Sequence, residues 1–197
     1  MEYNKVNYKG FEIEIFYDES PENPRTDWDH DSEFYMNPNP RHINPENKDL
    51  DDLMERYDCC SIKELCEKID KDYIWVKVYI YEHSGVSLST TPFNDPWDSA
   101  LFGILVVEKD KVRKFHNKKR ISKKIKKEEE GYLVAQVETY GAYLNGDVYG
   151  FQITDKDGEL IDSCSGYYGK TGLEDMKAEY EGVIDARIEA EENAEKE

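Results

Sequence analysis

The first clear signal along the chain has period two. Phe11, Ile13, Ile15 and Tyr17 alternate with Glu12, Glu14, Phe16 and Asp18, which predicts a half-buried strand. Tyr8-Lys9-Gly10 before it predicts a turn and a short earlier strand. The alternation then stops. Pro21, Pro24, Pro38, Pro40 and Pro45 punctuate residues 19–48, and Asp27, Asp29, Asp31 and Glu33 charge them. That stretch reads as a long irregular loop, a feature that in compact domains is often functional.

Helical spacing follows. Leu50, Leu53, Met54 and Tyr57 mark one helix. Ser61 with Glu64 is a capping-box pair that starts a second, carrying Ile62, Leu65, Cys66 and Ile69. Residues 73–82 read as a buried strand, His83-Ser84-Gly85 as a turn and 86–90 as its return, together a hairpin. After a structured loop over 91–99, residues 101–107 form another buried strand. Leu133, Val137, Tyr140 and Leu144 predict a helix that stops at Asn145-Gly146. Tyr149, Phe151 and Ile153 alternate along a strand, which Asp155–Gly158 turns into a partner holding Leu160 and Ile161. A last helix spans 173–192 on Met176, Tyr180, Val183, Ile184 and Ile188. Strands and helices do not alternate strictly. The expectation is an α+β fold, mainly antiparallel sheet with flanking helices and a long N-terminal irregular loop. Residues 1–190 form a single domain in this reading, and 191–197 a frayed acidic tail.

Composition sharpens this only in part. The chain has 197 residues, 38% hydrophobic and 13% aromatic, with 15 tyrosines. That excludes a disordered chain and predicts an aromatic-rich core. No run of about 18 apolar residues predicts a transmembrane helix, and the start of the chain lacks the plan of a signal peptide. A cytoplasmic protein with no membrane partner is expected. Cys59, Cys60, Cys66 and Cys164 are read as thiols of a reducing compartment.

Charge changes the picture most. The net charge is −18, from 26 basic and 44 acidic side chains. Residues 109–127 carry eleven of the basic side chains and one acid, Asp110, so this segment stands at +10 and the remainder at −28. The segment suits phosphates, with salt-dependent binding. Equally, it suits a solvated helix paired with the protein's own acids. For nucleic-acid contact the candidates are Lys114, Lys118, Lys119, Arg120, Lys123, Lys124 and Lys127. The acidic body suits a basic protein surface, either as a phosphate mimic or merely for solubility. For protein contact the candidates are Asp27, Asp29 and Asp31 in the loop and Asp49, Asp51, Asp52 and Glu55 on the first helix. The last helix adds Glu179, Glu181, Asp185, Glu189 and Glu192.

Catalytic signals are weak. The alternating acids from Asp27 resemble the start of a calcium loop, but Ser32 and Pro38 stand where an EF-hand needs Gly and Glu. Cys59, Cys60 and Cys66 with His83 or His42 lack zinc-site spacing. His83 with Ser87 or Ser89, and Asp95 or Asp98, has the composition of a hydrolase triad, but no G-x-S-x-G elbow surrounds any serine. No phosphate-binding glycine loop occurs. No metal, cofactor or catalytic residue is assigned.

Three patches carry a resemblance. They are residues 22–29 (Glu22-Asn23-Pro24-Arg25-Thr26-Asp27-Trp28-Asp29); Tyr81 to Phe93, around His83-Ser84-Gly85 and continuing to Trp97-Asp98-Ser99; and Tyr140 to Leu144 with Gly146 to Gly150, then Asp162 to Gly169. In these the chain resembles a family of mostly uncharacterised bacteriophage and mobile-element proteins, and it departs after Asp29. The resemblance implies a phage setting and supplies no catalytic residues. It leads to the expectation of a stoichiometric inhibitor of a host nucleic-acid-directed defence complex, of the anti-CRISPR or anti-restriction kind. The alternatives are an accessory protein that binds RNA or DNA through 109–127, and a small hydrolase-like enzyme around His83.

Overall fold

The computed structural model describes residues 2–37, 48–83, 85–95 and 97–194. In chain order its elements are β1 (Glu2–Tyr8), β2 (Phe11–Tyr17), β3 (Ser32–Met36), β4 (Lys48–Asp49), α1 (Leu50–Arg56), α2 (Ile62–Ile69), β5 (Tyr73–Glu82), β6 (Val86–Ser89), β7 (Ser99–Glu108), α3 (Lys109–Phe115), α4 (Lys123–Asn145), β8 (Val148–Thr154), β9 (Leu160–Tyr168) and α5 (Gly169–Ala194). The fold is α+β, with two mostly antiparallel sheets. Its residues gather into two compact units, Met1–Glu22 with Ala142–Glu197, and Asn23–Gly141.

The first unit is a four-stranded antiparallel sheet, β1-β2-β8-β9, packed on α5. The predicted alternation sends Ile13 and Ile15 inward, where they join Tyr149, Phe151 and Ile153. Met176, Tyr180 and Ile184, one helical turn apart on α5, close the core. Tyr149 is buried among Tyr3 and Tyr17, and burial pushes its phenol up to about 12. The outer strand β9 is irregular. Its pairing with β8 slips at two places, and Gly166 has φ +88°. Helix α5 runs on to Ala194, taking in four residues of the expected tail; the last three lie outside the described residues.

The second unit is a five-stranded sheet, β4-β3-β7-β5-β6. Its central strands are covered on both faces, so they read as nearly continuous apolar runs. Tyr35, Ile104 and Val106 face α1 and α2, against Leu50, Leu53, Leu65 and Ile69. Their neighbours Phe34 and Phe102 face the other way, and Phe34 meets Tyr140 of α4 at 6.3 Å between ring centroids. Strands β3 and β7 approach closely at Gly103, where a Cβ would lie 2.2 Å from the Tyr35 carbonyl oxygen. The capping box at Ser61 forms with a variation. Ser61 Oγ accepts the Glu64 N–H at 3.2 Å, while the Glu64 carboxylate reaches back to the N–H of Cys60 at 3.1 Å.

One expected element needs correcting. Residues 19–48 are not irregular throughout, because β3 lies inside them and pairs with β7 over five residues. The Pro-rich part at 38–47, with His42, lies outside the described residues, as does Ser84. Among the described residues no helix is long and apolar enough to cross a membrane.

Candidate functional site

The basic segment does not form one rod. It is two helices joined by a structured turn. Helix α3 ends because Asn117 takes a left-handed conformation, φ +50°, which Asn tolerates better than most residues. The Asn117 N–H donates to the Lys114 carbonyl at 3.1 Å, and the Lys118 N–H to the Arg113 carbonyl at 2.9 Å. These are the paired bonds of a Schellman stop. Helix α4 restarts at Ser122, whose Oγ accepts the Ile125 N–H at 3.2 Å. The turn is held from below by His116, which bonds Glu129 on α4 at 2.8 Å, both side chains largely buried.

Lysine and arginine crowd this frame. Lys114, Lys118, Lys119, Arg120, Lys123, Lys124 and Lys127 are all exposed. Lys124 lies 3.8 Å from Glu128; among the described residues the other six form no ion pair. Their neighbours differ. Lys111 faces Asp31 at 4.0 Å, Lys126 bonds Asp70 at 3.1 Å, Arg113 pairs with Asp110, and Lys109 donates to the Asp70 carbonyl. The segment therefore divides. Its inward cations meet the protein's own acids, and its outward ones are left over. Helix α4 has no acid in its first turn, so Lys123, Lys124 and Lys126 add to the positive end of the helix dipole. Charges at a helix end shift its stability by about 0.3–1 kcal/mol each, and positive charge at the N-terminus has the unfavourable sign. Phe115 stands among the cations, 78% exposed.

The acidic candidates lie in one loop and on two helices, and have more ordinary local roles. Asp49 caps α1 by accepting the Asp51 N–H at 2.9 Å, and Asp51 and Asp52 lie in its first turn, where the dipole favours negative charge. Glu55 is exposed one turn later. Asp27 folds inward on its own loop, accepting from Thr26 Oγ1 at 2.7 Å and the Asn23 N–H at 2.8 Å, and these bonds lower its pKa. Asp29 is exposed and Asp31 faces Lys111. On α5, Glu181 pairs with Lys177 and Asp185 with Lys9.

The remaining candidates separate. His83 Nδ1 lies 3.6 Å from Asp98, with the imidazole 72% exposed. Asp95 instead organises its loop, accepting the N–H groups of Trp97 and Asp98 at 2.9 and 3.3 Å. Ser89 bonds Thr91 at 3.1 Å, and among the described residues no serine hydroxyl bonds His83. The four cysteines are free thiols, and burial raises the pKa of Cys66. What sequence reading missed is the supporting set, Asn117, Ser122, His116 and Glu129. Asn117 and Ser122, five residues apart, are a stop and a start signal, obscured here by the lysine run.

No protein-family model, no curated protein and no solved structure matches the chain.

Proposed function

We propose that the protein acts by binding, gripping the phosphate backbone of a nucleic acid through the basic turn between α3 and α4. The observation that carries this reading is the set of six outward cations without acids, in a chain that holds 44 of them. One of the six, Lys123, opens the α4 N-terminus, where its charge is destabilising. Such an arrangement is relieved when phosphates supply the missing negative charge. Exposed Phe115 adds a face on which an unpaired base can stack, which favours single-stranded RNA or DNA over duplex.

The setting is proposed from the resemblance to phage proteins. In it, the nucleic acid belongs to a host defence complex of the anti-CRISPR or anti-restriction kind. The exposed carboxylates of Asp51, Asp52 and Glu55 then meet a basic surface of the protein component, and inhibition is stoichiometric.

Fluorescence anisotropy with labelled single-stranded RNA and DNA across a salt series tests the first part. The expected result is binding whose logarithm falls linearly with the logarithm of salt, about 0.7 per phosphate contacted. Phe115→Ala weakens it by about 1–3 kcal/mol. Binding that is absent at low salt, or insensitive to salt, overturns the reading. Capture from a host lysate with and without nuclease, beside a plaque assay on a defended host, tests the setting. An unaltered plaque count with no nucleoprotein recovered removes it.

A further inference from the structure

The loop from Asn23 to Asp31 holds a second cation of a different kind. An Asx turn fixes its start, with the Arg25 N–H donating to Asn23 Oδ1 at 2.9 Å. The His30 imidazole bonds the Pro24 carbonyl and ties the loop's far end back on itself. The Arg25 guanidinium is thereby directed inward. Nη1 donates to Ser32 Oγ at 3.2 Å and to Gln136 Oε1 of α4 at 3.0 Å, and Nη2 donates to the Ser32 carbonyl at 3.2 Å.

A guanidinium has five N–H donors, and these bonds use three. Ser32 occupies the end formed by the two η nitrogens, and Gln136 takes the second hydrogen of Nη1. The edge formed by Nε–H and Nη2–H remains. Nε is buried and has no hydrogen-bond partner among the described residues. That edge matches the two oxygens of a carboxylate or phosphate. Burial lowers the pKa of Arg25, and among the described residues the charge interaction that opposes this is with the Tyr140 phenol. Arginine stays protonated regardless. Among the described residues this partly desolvated positive charge therefore has no carboxylate beside it, although Glu22, Asp27 and Asp29 are close in sequence. A buried charge without a partner is costly.

Arg25 lines a cavity of about 290 Å³, near the lower end of the range for small-molecule sites. Its other walls include Trp28 and Tyr132, 37% and 61% exposed, with Ala135 and Thr139 of α4 beneath. Two aromatic rings and the Arg25 side chain thus line one space.

We propose that this cavity binds a small planar organic anion, its carboxylate or phosphate on the Nε edge of Arg25 and its ring against Trp28 and Tyr132. The site stands apart from the basic turn and does not depend on the reading given to that turn. Arginine as a mere crosslink between the loop, β3 and α4 explains its three bonds, but leaves the cavity and the unpartnered Nε without a role.

Calorimetry on the full chain tests the assignment, with adenosine 5′-monophosphate, benzoate, adenosine and inorganic phosphate as probes. The expected result is saturable binding of the monophosphate or of benzoate, the two arms separating a phosphate ester from a carboxylate. Adenosine and inorganic phosphate each bind at least about ten-fold more weakly than the preferred probe. Arg25→Gln weakens binding by about ten-fold or more, and Tyr132→Ala, on an exposed position of α4, by several-fold. Neutralising Lys118, Lys119, Arg120 and Lys123 leaves it unchanged. In the ¹⁵N spectrum the Arg25 Nε–H resonance moves on addition of the preferred probe. Should Arg25→Gln fail to fold, Tyr132→Ala and that resonance decide the matter. The proposal is overturned if neither aromatic anion saturates below about 10 mM, if adenosine binds as well as its monophosphate, if inorganic phosphate matches both ring-bearing anions, or if the folded variants bind like the parent.

Discussion

Cations are treated differently in the two units. In the first, Lys5 meets Glu12 at 3.1 Å, Lys9 meets Asp185 at 2.9 Å, and Lys170, Lys177 and Arg187 each face a glutamate one turn along α5. In the second, six cations of the α3–α4 turn form no ion pair with a described acid, and half-buried Arg25 has none either. Overall acidity is the same background for both. The difference lies in placement, and it concentrates cations without a described acid in residues 109–127, whereas the first unit leaves Lys156 alone among those described. A net charge of −18 therefore describes neither unit's recognition surface.

The sharpest way to break this contrast is a matched exchange. Replacing Lys114, Lys118, Lys119, Arg120, Lys123 and Lys127 by Gln is expected to lower affinity for single-stranded RNA by at least about a hundred-fold near 0.1 M salt and to flatten the salt slope. The melting temperature should change little, since removing Lys123 relieves the α4 N-terminus while removing Lys114 takes a favourable cation from the last turn of α3. Replacing Lys5, Lys9, Lys170, Lys177 and Arg187 by Gln should leave affinity within about two-fold, because charges beyond a Debye length of roughly 10 Å are screened. It should lower the melting temperature slightly. Equal losses from the two sets, read by anisotropy, would show that only total charge matters.

A smaller effect isolates the shape of the turn from its charge. Asn117→Ala places a Cβ-bearing residue without a local hydrogen bond at φ +50° and should cost about 1 kcal/mol in urea denaturation. Asn117→Gly should match or exceed the parent. RNA affinity should follow the same order, falling several-fold for Ala. An unchanged affinity would mean that the lysines act without their frame.

The smallest expected effect concerns a paired cation within the second unit. Burial tends to raise the pKa of Glu33, but its bonds to Lys48, at 2.8 Å, and to the Tyr35 hydroxyl, at 2.9 Å, hold it below 4.5. The folded value is depressed, so the contribution to stability is full above about pH 4.5 and is lost as pH falls through the folded value. Glu33→Gln should flatten that acid limb by less than about 1 kcal/mol, measured as urea midpoints between pH 3 and 6.

These contrasts bear on what a sequence can disclose. Strands β2, β5, β7 and β8 were legible because they alternate or run apolar over at least seven residues. Strand β3 was hidden. Phe34-Tyr35-Met36 is short, both its faces are covered, and prolines and acids flank it, so neither period two nor length marked it. The basic segment was legible as charge but not as shape, because its break rests on one asparagine and one serine rather than on Gly or Pro. Arg25 was unreadable for another reason. Its sequence neighbours are acids, and sequence alone suggests a ready partner. Only the fold shows Asp27 turned to the Asn23 N–H and the arginine turned the other way.

The irregular outer strand of the first sheet has a further consequence. An edge strand offers unpaired amides and carbonyls to any extended chain that arrives, and flat edges invite copies to stack into fibres. Strand β9 slips register twice and bends at Gly166, so an incoming strand finds no long straight row to zip along. On the far edge, β1 is itself irregular between Glu2 and Asn4. The distortions that make this sheet look imperfect also make it a poorer template for self-association.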